Sequence, residues 1–509
     1  MTLKENHTIL EIRNSLKLMP KSLRAIGKSF GTKHQKLDME YEGERYAYCD
    51  ITQEEQRYIE NDVLVLKEAL EMMFAEGHNK LTIGSCCLSE YKSGYDRREY
   101  NRIFPDIRDI PTPLPDGTLS NAWDWIHKSY HGGWCYVNPK YQRVIVGHGK
   151  VYDVNSLYPS MMHSNSGNRY PYGMGDYYHG APPENFWLDT DKFYFVRFRC
   201  RFNVKHSAFP WVHIRNTALY KGNDNLYTSD VKYKGKYYRY YYDFDGTVKD
   251  TKVELTMTWS DYVLFTETYN IFDFDWVDYI VFWARVGLFD EYINHYFDQK
   301  KTASGFKREL AKLFLNNLYG KMASSDNSSY KEPFLGDDDI IHFQPHEEHN
   351  KDVGYIPVGS AITSYALNFT VRHAIANHDR FCYADTDSIH IVGDEPAKMV
   401  VEDPVELCCW KNESDFDHAY YVRQKTYCEH VIVHDGKPVD PYLDVKASGM
   451  TKSAKDAFIN SGMPMNALDE GLELEDSNLK AERVKGGIVL RNKTFKIRKQ
   501  LDKKVNPVL

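Results

Sequence analysis

Paired cysteines are missing from this 509-residue chain: its nine cysteines include no C-x-x-C and no cysteine–histidine spacing suited to zinc. No disulfide framework or cysteine-ligated zinc site is therefore indicated, and the thiols read as reduced, as in a cytosol. No apolar run approaches the roughly 20 residues of a membrane span, and the start Met1-Thr2-Leu3-Lys4-Glu5 is not a signal peptide. Internal repeats and low-complexity blocks are lacking as well. So is an overall positive charge, since the net of -8 argues against a uniformly basic nucleic-acid binder. What remains is a soluble, intracellular, globular protein.

Present in quantity are apolar residues, at 42%, and aromatics, at 14%. That is core enough for roughly two to four domains. The 39 tyrosines suit wet grooves in which rings stack on bases or sugars, and equally suit tyrosine-rich strands. Positive charge is concentrated in two places. Positions 15 to 37 carry Lys17, Lys21, Arg24, Lys28, Lys33 and Lys36 with no acid, and positions 480 to 504 carry ten Lys/Arg against Glu482 and Asp502. Either stretch fits phosphate contact or a solvated basic face.

Along the chain, residues 1–85 read as mostly helical, with helix-period apolar positions from Tyr58 through Asp62 onward. A linker through Pro105, Pro111, Pro113 and Pro115 leads to Tyr130-His131-Gly132-Gly133-Trp134, whose glycines permit either close approach to a ligand or a simple turn. The next strand ends at Asp153 and runs into Asn155-Ser156-Leu157-Tyr158-Pro159. Residues 165–287 are β-rich. Phe193 to Phe202 alternates aromatic with basic residues, as in half-exposed strands of a DNA-facing or partner-facing sheet, or of an aromatic sheet with solvated cations. Lys300 and Lys301 open a periodic helix with Phe306, Leu310, Leu313, Phe314 and Leu318 on its core side; Arg308, Lys312 and Tyr319 share another face, where cations could grip a triphosphate. The acidic stretch 324–349 reads as a protruding loop or hairpin.

Two carboxylates, Asp385 and Asp387, end a probable strand in Tyr383-Ala384-Asp385-Thr386-Asp387-Ser388. Strand alternation would put both on one face with Thr386 on the other. Like charges that close are costly unless a cation or proton is shared, and Mg²⁺ accepts carboxylates together with substrate phosphates. An isolated D-x-D is also ordinary turn chemistry. Metal-dependent glycosyltransferases use such a turn too, but do not need the Asp153 or Lys312 stretches.

Four stretches in this order, Asp153-Val154-Asn155-Ser156-Leu157-Tyr158-Pro159, Lys312 to Gly320, Tyr383 to Ser388 and Lys425-Thr426-Tyr427, resemble the motifs of family B DNA polymerases, most nearly the protein-primed polymerases of bacteriophages. The resemblance covers essentially the whole chain. It implies an α+β right-hand fold: an exonuclease-domain remnant at 1–85, palm at 86–164 and 350–449, an insertion contacting a priming protein at 165–287, fingers at 288–323, a processivity and strand-displacement loop at 324–349, and a thumb at 450–509. It further implies two Mg²⁺, with Mn²⁺ as an alternative, on Asp153 and Asp387, assisted by Asp385 and Val154. Tyr158, with Leu157, would stack under the deoxyribose, and Lys312 with Lys300 or Lys301 would hold the triphosphate. Asn316 and Tyr319 would line the nascent pair. Lys425, Tyr427, Thr386, Ser388 and the Tyr130-x-Gly132-Gly133 element would contact DNA. The expected partners are template-primer DNA, deoxynucleoside triphosphates and a priming protein, for a monomer in the cytoplasm of a bacterial host. An inactive DNA-binding fragment is the competing reading, which retention of all three palm carboxylates disfavours.

The same resemblance makes Lys36, Tyr58 and Asp62 the last motifs of a 3′-5′ exonuclease whose earlier carboxylates find no match in residues 1–35. One carboxylate does not assemble a two-metal hydrolytic site, so a ribonuclease H-like remnant without proofreading is expected.

Overall fold

The computed structural model of the chain describes residues 2–5, 8–11, 13–39, 49–114, 117–214, 225–243, 245–325, 328–348, 353–485, 487–499 and 506–508. Pro115, Phe244 and the basic-tail positions 501–505 fall outside these. The chain divides into two compact units: Met1–Pro105, Phe289–Tyr355 and Lys480–Arg491 form one, and Asp106–Leu288, Ile356–Leu479 and Asn492–Leu509 the other.

The first unit is mainly helical. Helix α1 (Leu23–Phe30) is capped by Ser22 and stopped by Gly31 at φ +69°. Helix α2 (Gln53–Ala75) starts at a capping box, in which the Glu55 N–H donates to the Thr52 hydroxyl and the Thr52 N–H donates to the Glu55 carboxylate. Val65, Ala69 and Met73, four apart, form its buried stripe. Helices α3 (Asp290–Thr302) and α4 (Gly305–Met322) form an antiparallel pair, pinned where the Tyr292 hydroxyl donates to the Phe314 carbonyl at 3.0 Å. Phe306, Leu310, Leu313, Phe314 and Leu318 are buried, as their period predicts. One expectation fails here. Lys300 and Lys301 end α3 instead of opening the helix of Lys312, because the chain breaks at Ala303-Ser304 and reverses. Helical spacing therefore relates neither Lys300 nor Lys301 to Lys312. Strands Ser328–Leu335 and Ile341–Glu348 pair as the expected hairpin.

The second unit is built on two antiparallel sheets. The main strands of these two sheets are β1 (Cys135–Val137), β2 (Gly149–Val154), β3 (Tyr170–His179), β4 (Lys192–Val204), β5 (Val253–Thr258), β6 (Tyr269–Arg285), β7 (Phe381–Asp385), β8 (Ser388–Val392), β9 (Trp410–Arg423), β10 (Thr426–His434) and β11 (Lys437–Ala447). One sheet runs β11-β10-β9-β2-β8-β7-β1, with the short strand Ile145–Val146 beside β9; the other runs β5-β4-β6-β3. Helix α5 (Ile356–Ala376) is apolar nearly all round and buried accordingly. Tyr365 packs on Tyr170 of one sheet, and Phe369 stacks on Trp410 of the other.

Strand β4 corrects a second expectation. Phe193 through Phe198 is buried without alternation, on both faces. Arg197, 2% exposed, makes a two-pronged ion pair with Asp278, which also accepts from the Trp125 indole and the Tyr177 hydroxyl. Arg199 pairs with Glu254, and Arg201 with Asp230 and Asp273. None of these cations is bare: Arg197 is buried and Arg199 exposed, yet each guanidinium arrives with its carboxylate.

Candidate active site

Register brings the candidate carboxylates together. Asp153 on β2 stands opposite Ser388 on β8, Ser388 opposite Asp385 on β7, and Asp385 opposite Cys135 on β1. Directly opposed residues share a face, so Asp153 and Asp385 flank Ser388 on one side of the sheet. Asp387 lies in the turn between β7 and β8. Its carbonyl accepts from the Val154 N–H at 2.8 Å, which ties it to the strand of Asp153. Alternation therefore does not relate Asp385 to Asp387, because the strand stops at Asp385 and the Asp387 N–H donates back to the Asp385 carbonyl at 2.7 Å.

That turn is strained and braced. Thr386 sits at φ +63°, a left-handed conformation that β-branched residues rarely take and that costs on the order of 1–3 kcal/mol. Its N–H donates to the Trp134 carbonyl at 2.7 Å, and its carbonyl accepts from the Thr370 hydroxyl of α5 at 2.8 Å. Gly133 closes the third side: a Cβ there would lie 2.2 Å from Thr386 Oγ1. Glycine at 133 is thus explained by the approach of the Thr386 turn. His131, two residues earlier, is bonded to the buried Asp261, which also accepts from Ser364 at 2.7 Å and Asn368 at 2.9 Å.

Electrostatics set the carboxylates apart. Burial pushes the Asp387 carboxyl above its usual range, and the charges of Asp385 and Glu413 push it further. Lys425, at the tight turn between β9 and β10, bonds its ammonium to Asp385 and its N–H to the Tyr383 hydroxyl. Burial works against that ammonium, but Asp385, helped by Cys135 and Asp387, outweighs it and raises its pKa. The donors here are hard carboxylate oxygens set close together, which fits Mg²⁺-type cations. A cavity of about 480 Å³ beside Asp385 and Lys425 is lined also by Tyr427, Lys446, Lys452 and Lys455. These last three lysines had no motif to announce them.

Beyond Asp153 the chain turns at Ser156, φ +53°, into the short helix Leu157–Met162. Leu157 is buried and Tyr158 half-buried. Asn155 holds the turn by donating to the carbonyls of Asp403 and Glu406, and Ser160 donates to the Asn155 carbonyl at 2.8 Å.

In the first unit, Lys312, Asn316 and Tyr319 lie on α4 at helical spacing, Asn316 exposed and the others half-buried. Glu309, unforeseen from sequence, pairs with Lys312 at 2.9 Å and with Lys21. Burial works against ionisation of Glu309, but the two lysines outweigh it and lower its pKa. Lys301 lies over the Phe297 ring at 4.3 Å and Lys300 at 6.0 Å. Lys36, Tyr58 and Asp62 also come together: the Lys36 ammonium bonds both partners and lies 3.6 Å above the Tyr58 ring. Among the described residues, Asp62 Oδ1 is buried without a hydrogen-bond partner. Tyr130 is half-buried and stacks on His127.

The family model for type B DNA polymerases of organelles and viruses matches residues 37–403. The DNA polymerase of Bacillus phage Nf is 33% identical over 506 residues, covering 97% of this chain and 80% of the relative; that of Bacillus phage phi29 is 32% identical over 504 residues with the same coverage. The solved structure of phi29 DNA polymerase with primer-template DNA and incoming nucleotide superposes with a TM-score of 0.78 at 31% identity, over 95% of this chain and 80% of that one.

Proposed function

This chain belongs to the type B DNA polymerases of organelles and viruses, and we propose that it extends a 3′-hydroxyl, on DNA or on a priming protein, by two-metal phosphoryl transfer. It has the α+β right-hand polymerase fold and is a template-directed DNA polymerase. The observation that carries the residue assignment is the cross-strand row Asp153–Ser388–Asp385 with Asp387 in the turn beside it.

Lys425 takes Asp385, and that pairing supports a division of labour in which Asp153 and Asp387, with the Val154 carbonyl, are the ion ligands while Asp385 orients Lys425. Bound there, two Mg²⁺, or Mn²⁺, supply Lewis acidity for the attacking 3′-oxygen and the leaving diphosphate. Lys425 and Tyr427 hold the primer strand, and Lys446, Lys452 and Lys455 give its phosphates a cationic wall. Tyr158 lies under the sugar and refuses a 2′-hydroxyl. Lys312, kept in place by Glu309, neutralises the triphosphate with help from Lys300 or Lys301. Asn316 and Tyr319 support the new base pair, and Tyr130, Gly132, Thr386 and Ser388 complete the DNA contacts.

Residues 86–164 and 350–449 serve as palm, 288–323 as fingers and 450–509 as thumb. The insertion 165–287 meets the priming protein, and the hairpin within 324–349 promotes strand displacement. The protein works as a monomer in the cytoplasm of a bacterial host; among the described residues no helix is long and apolar enough to cross a membrane. Templated extension of a labelled primer by the purified chain with Mg²⁺ tests the assignment. Extension directed by the template base is expected, and DNA binding without extension would mark an inactive fragment.

A further inference from the structure

A bulge in β9 gathers three metal-ligating side chains away from the polymerase site. Phe416 pairs with Val431 and His418 with His430, so Asp417 is an extra residue with no partner of its own on β10. In a regular strand Asp417 and His418 would point to opposite faces. A bulge sets two consecutive residues against one and re-aims the side chains, so that both reach His430. Asp417 Oδ1 lies 2.5 Å from His418 Nδ1 and 2.8 Å from His430 Nδ1, and the imidazole centroids are 4.7 Å apart. The candidate ligand atoms of all three residues fall within 4.8 Å of one another. Strand alternation puts this cluster on the back of the sheet. Glu429, which reaches His390 on the carboxylate face, stands opposite Ala419, one residue on from His418.

We propose that Asp417, His418 and His430 form a binding site for a divalent transition metal of the Zn²⁺ class. Two imidazoles and one carboxylate are borderline donors that favour Zn²⁺, Ni²⁺ or Co²⁺ over Mg²⁺. The residues are half-buried or exposed, which leaves a fourth position open to water. Ligand atoms about 2.0–2.2 Å from an ion stand roughly 3.3 Å apart in a tetrahedron, so entry requires the carboxylate to draw back by less than about 1 Å as the ion replaces the protons between oxygen and nitrogen. The ion clips β9 to β10, the two strands whose connecting turn carries Lys425 and leads to Tyr427, and does so without touching the catalytic carboxylates. It is a structural clip in the hairpin that grips the primer.

The test is titration of the full chain with Co²⁺ in excess Mg²⁺, read by visible d–d absorption. One equivalent is expected to give the bands of a nitrogen-ligated ion in the wild type and in Asp387→Asn. His418→Ala, His430→Ala and the shape-conserving Asp417→Asn should lose or strongly weaken them, each variant being checked for native circular dichroism. One equivalent of Zn²⁺ should likewise raise the melting temperature of the wild type and not of the histidine variants. No bands in the wild type, or bands that survive in both histidine variants, overturn the proposal. Should one histidine variant fail to fold, Asp417→Asn and the other histidine decide it.

Discussion

Two of the candidate clusters pair a lysine with an aspartate, Lys425 with Asp385 beside the large sheet and Lys36 with Asp62 in the helical unit, and they differ in what surrounds the pair. On the sheet, register supplies further carboxylates next to the pair, so the lysine takes one while Asp387 remains desolvated and reluctant to ionise. Around Asp62 the lysine meets one carboxylate and one tyrosine, with no second carboxylate bonded to it among the described residues. Phosphoryl-transfer chemistry needs negative charge in surplus over the protein's own cations, because the excess is what holds divalent ions. The sheet has that surplus. The lone pair does not.

The strongest way to break this contrast is Asp153→Asn or Asp387→Asn. Each should lower primer extension by on the order of a thousandfold or more with the fold intact, measured as single-nucleotide incorporation beside circular dichroism. Near-normal extension by either would sink the carboxylate assignment.

Tyr158→Val should act on selectivity instead of rate. Ribonucleotide incorporation relative to deoxyribonucleotide should rise at least about tenfold, the value of a contact worth about 1.4 kcal/mol, in paired extension assays. An unchanged ratio would move the sugar gate to another residue.

Asp387 also sharpens the contrast through stability. Its carboxyl pKa is raised in the folded chain, so between the unfolded and folded values the native state keeps a proton that the unfolded state has lost. Stability therefore falls as pH rises through that window, and the cost is complete above the folded value. In a chelator at neutral pH, Asp387→Asn should melt higher than wild type, while added Mg²⁺ should raise the wild type more. A variant that melts lower in the chelator would contradict the desolvated-carboxylate account.

The smallest effect is expected at the lone pair. With a mismatched, end-labelled primer, Mg²⁺ and no nucleotides, these 509 residues should not shorten the primer, and Asp62→Ala should change nothing. Shortening that Asp62→Ala abolishes would reveal partner carboxylates that sequence inspection missed.

Much of the carboxylate site could be read in advance because short motifs carry it. Asp153, Asp385, Asp387 and Lys425 each lie in a local pattern, and the structure gathers them within one sheet. The helix of Lys312 was equally legible from the period of Phe306, Leu310 and Leu318. Long-range partners were not. Glu309 reaches Lys21 across 288 positions, and Asn155 holds a loop 248 positions away, separations over which one sequence carries no signal. Composition misled at Arg197, since an arginine amid aromatics reads as surface until Asp278 is found beside it. Breaking that buried pair should cost about 3–5 kcal/mol, which makes it an element of folding and not of DNA contact. The reversal at Ala303-Ser304 was missed because neither proline nor a left-handed glycine pair marks it; a single Gly305 at φ +56° starts the new helix.

The bracing of Thr386 has a consequence for the architecture as a whole. Asp261 lies within residues 165–287, and through His131 it secures the segment whose Gly133 and Trp134 hold the Thr386 turn. Residues 165–287 are thus not a cassette that could be excised or exchanged while leaving the Asp385–Asp387 turn as it was. A graft of this region from a relative would have to bring both ends of that tether, Asp261 and His131, together.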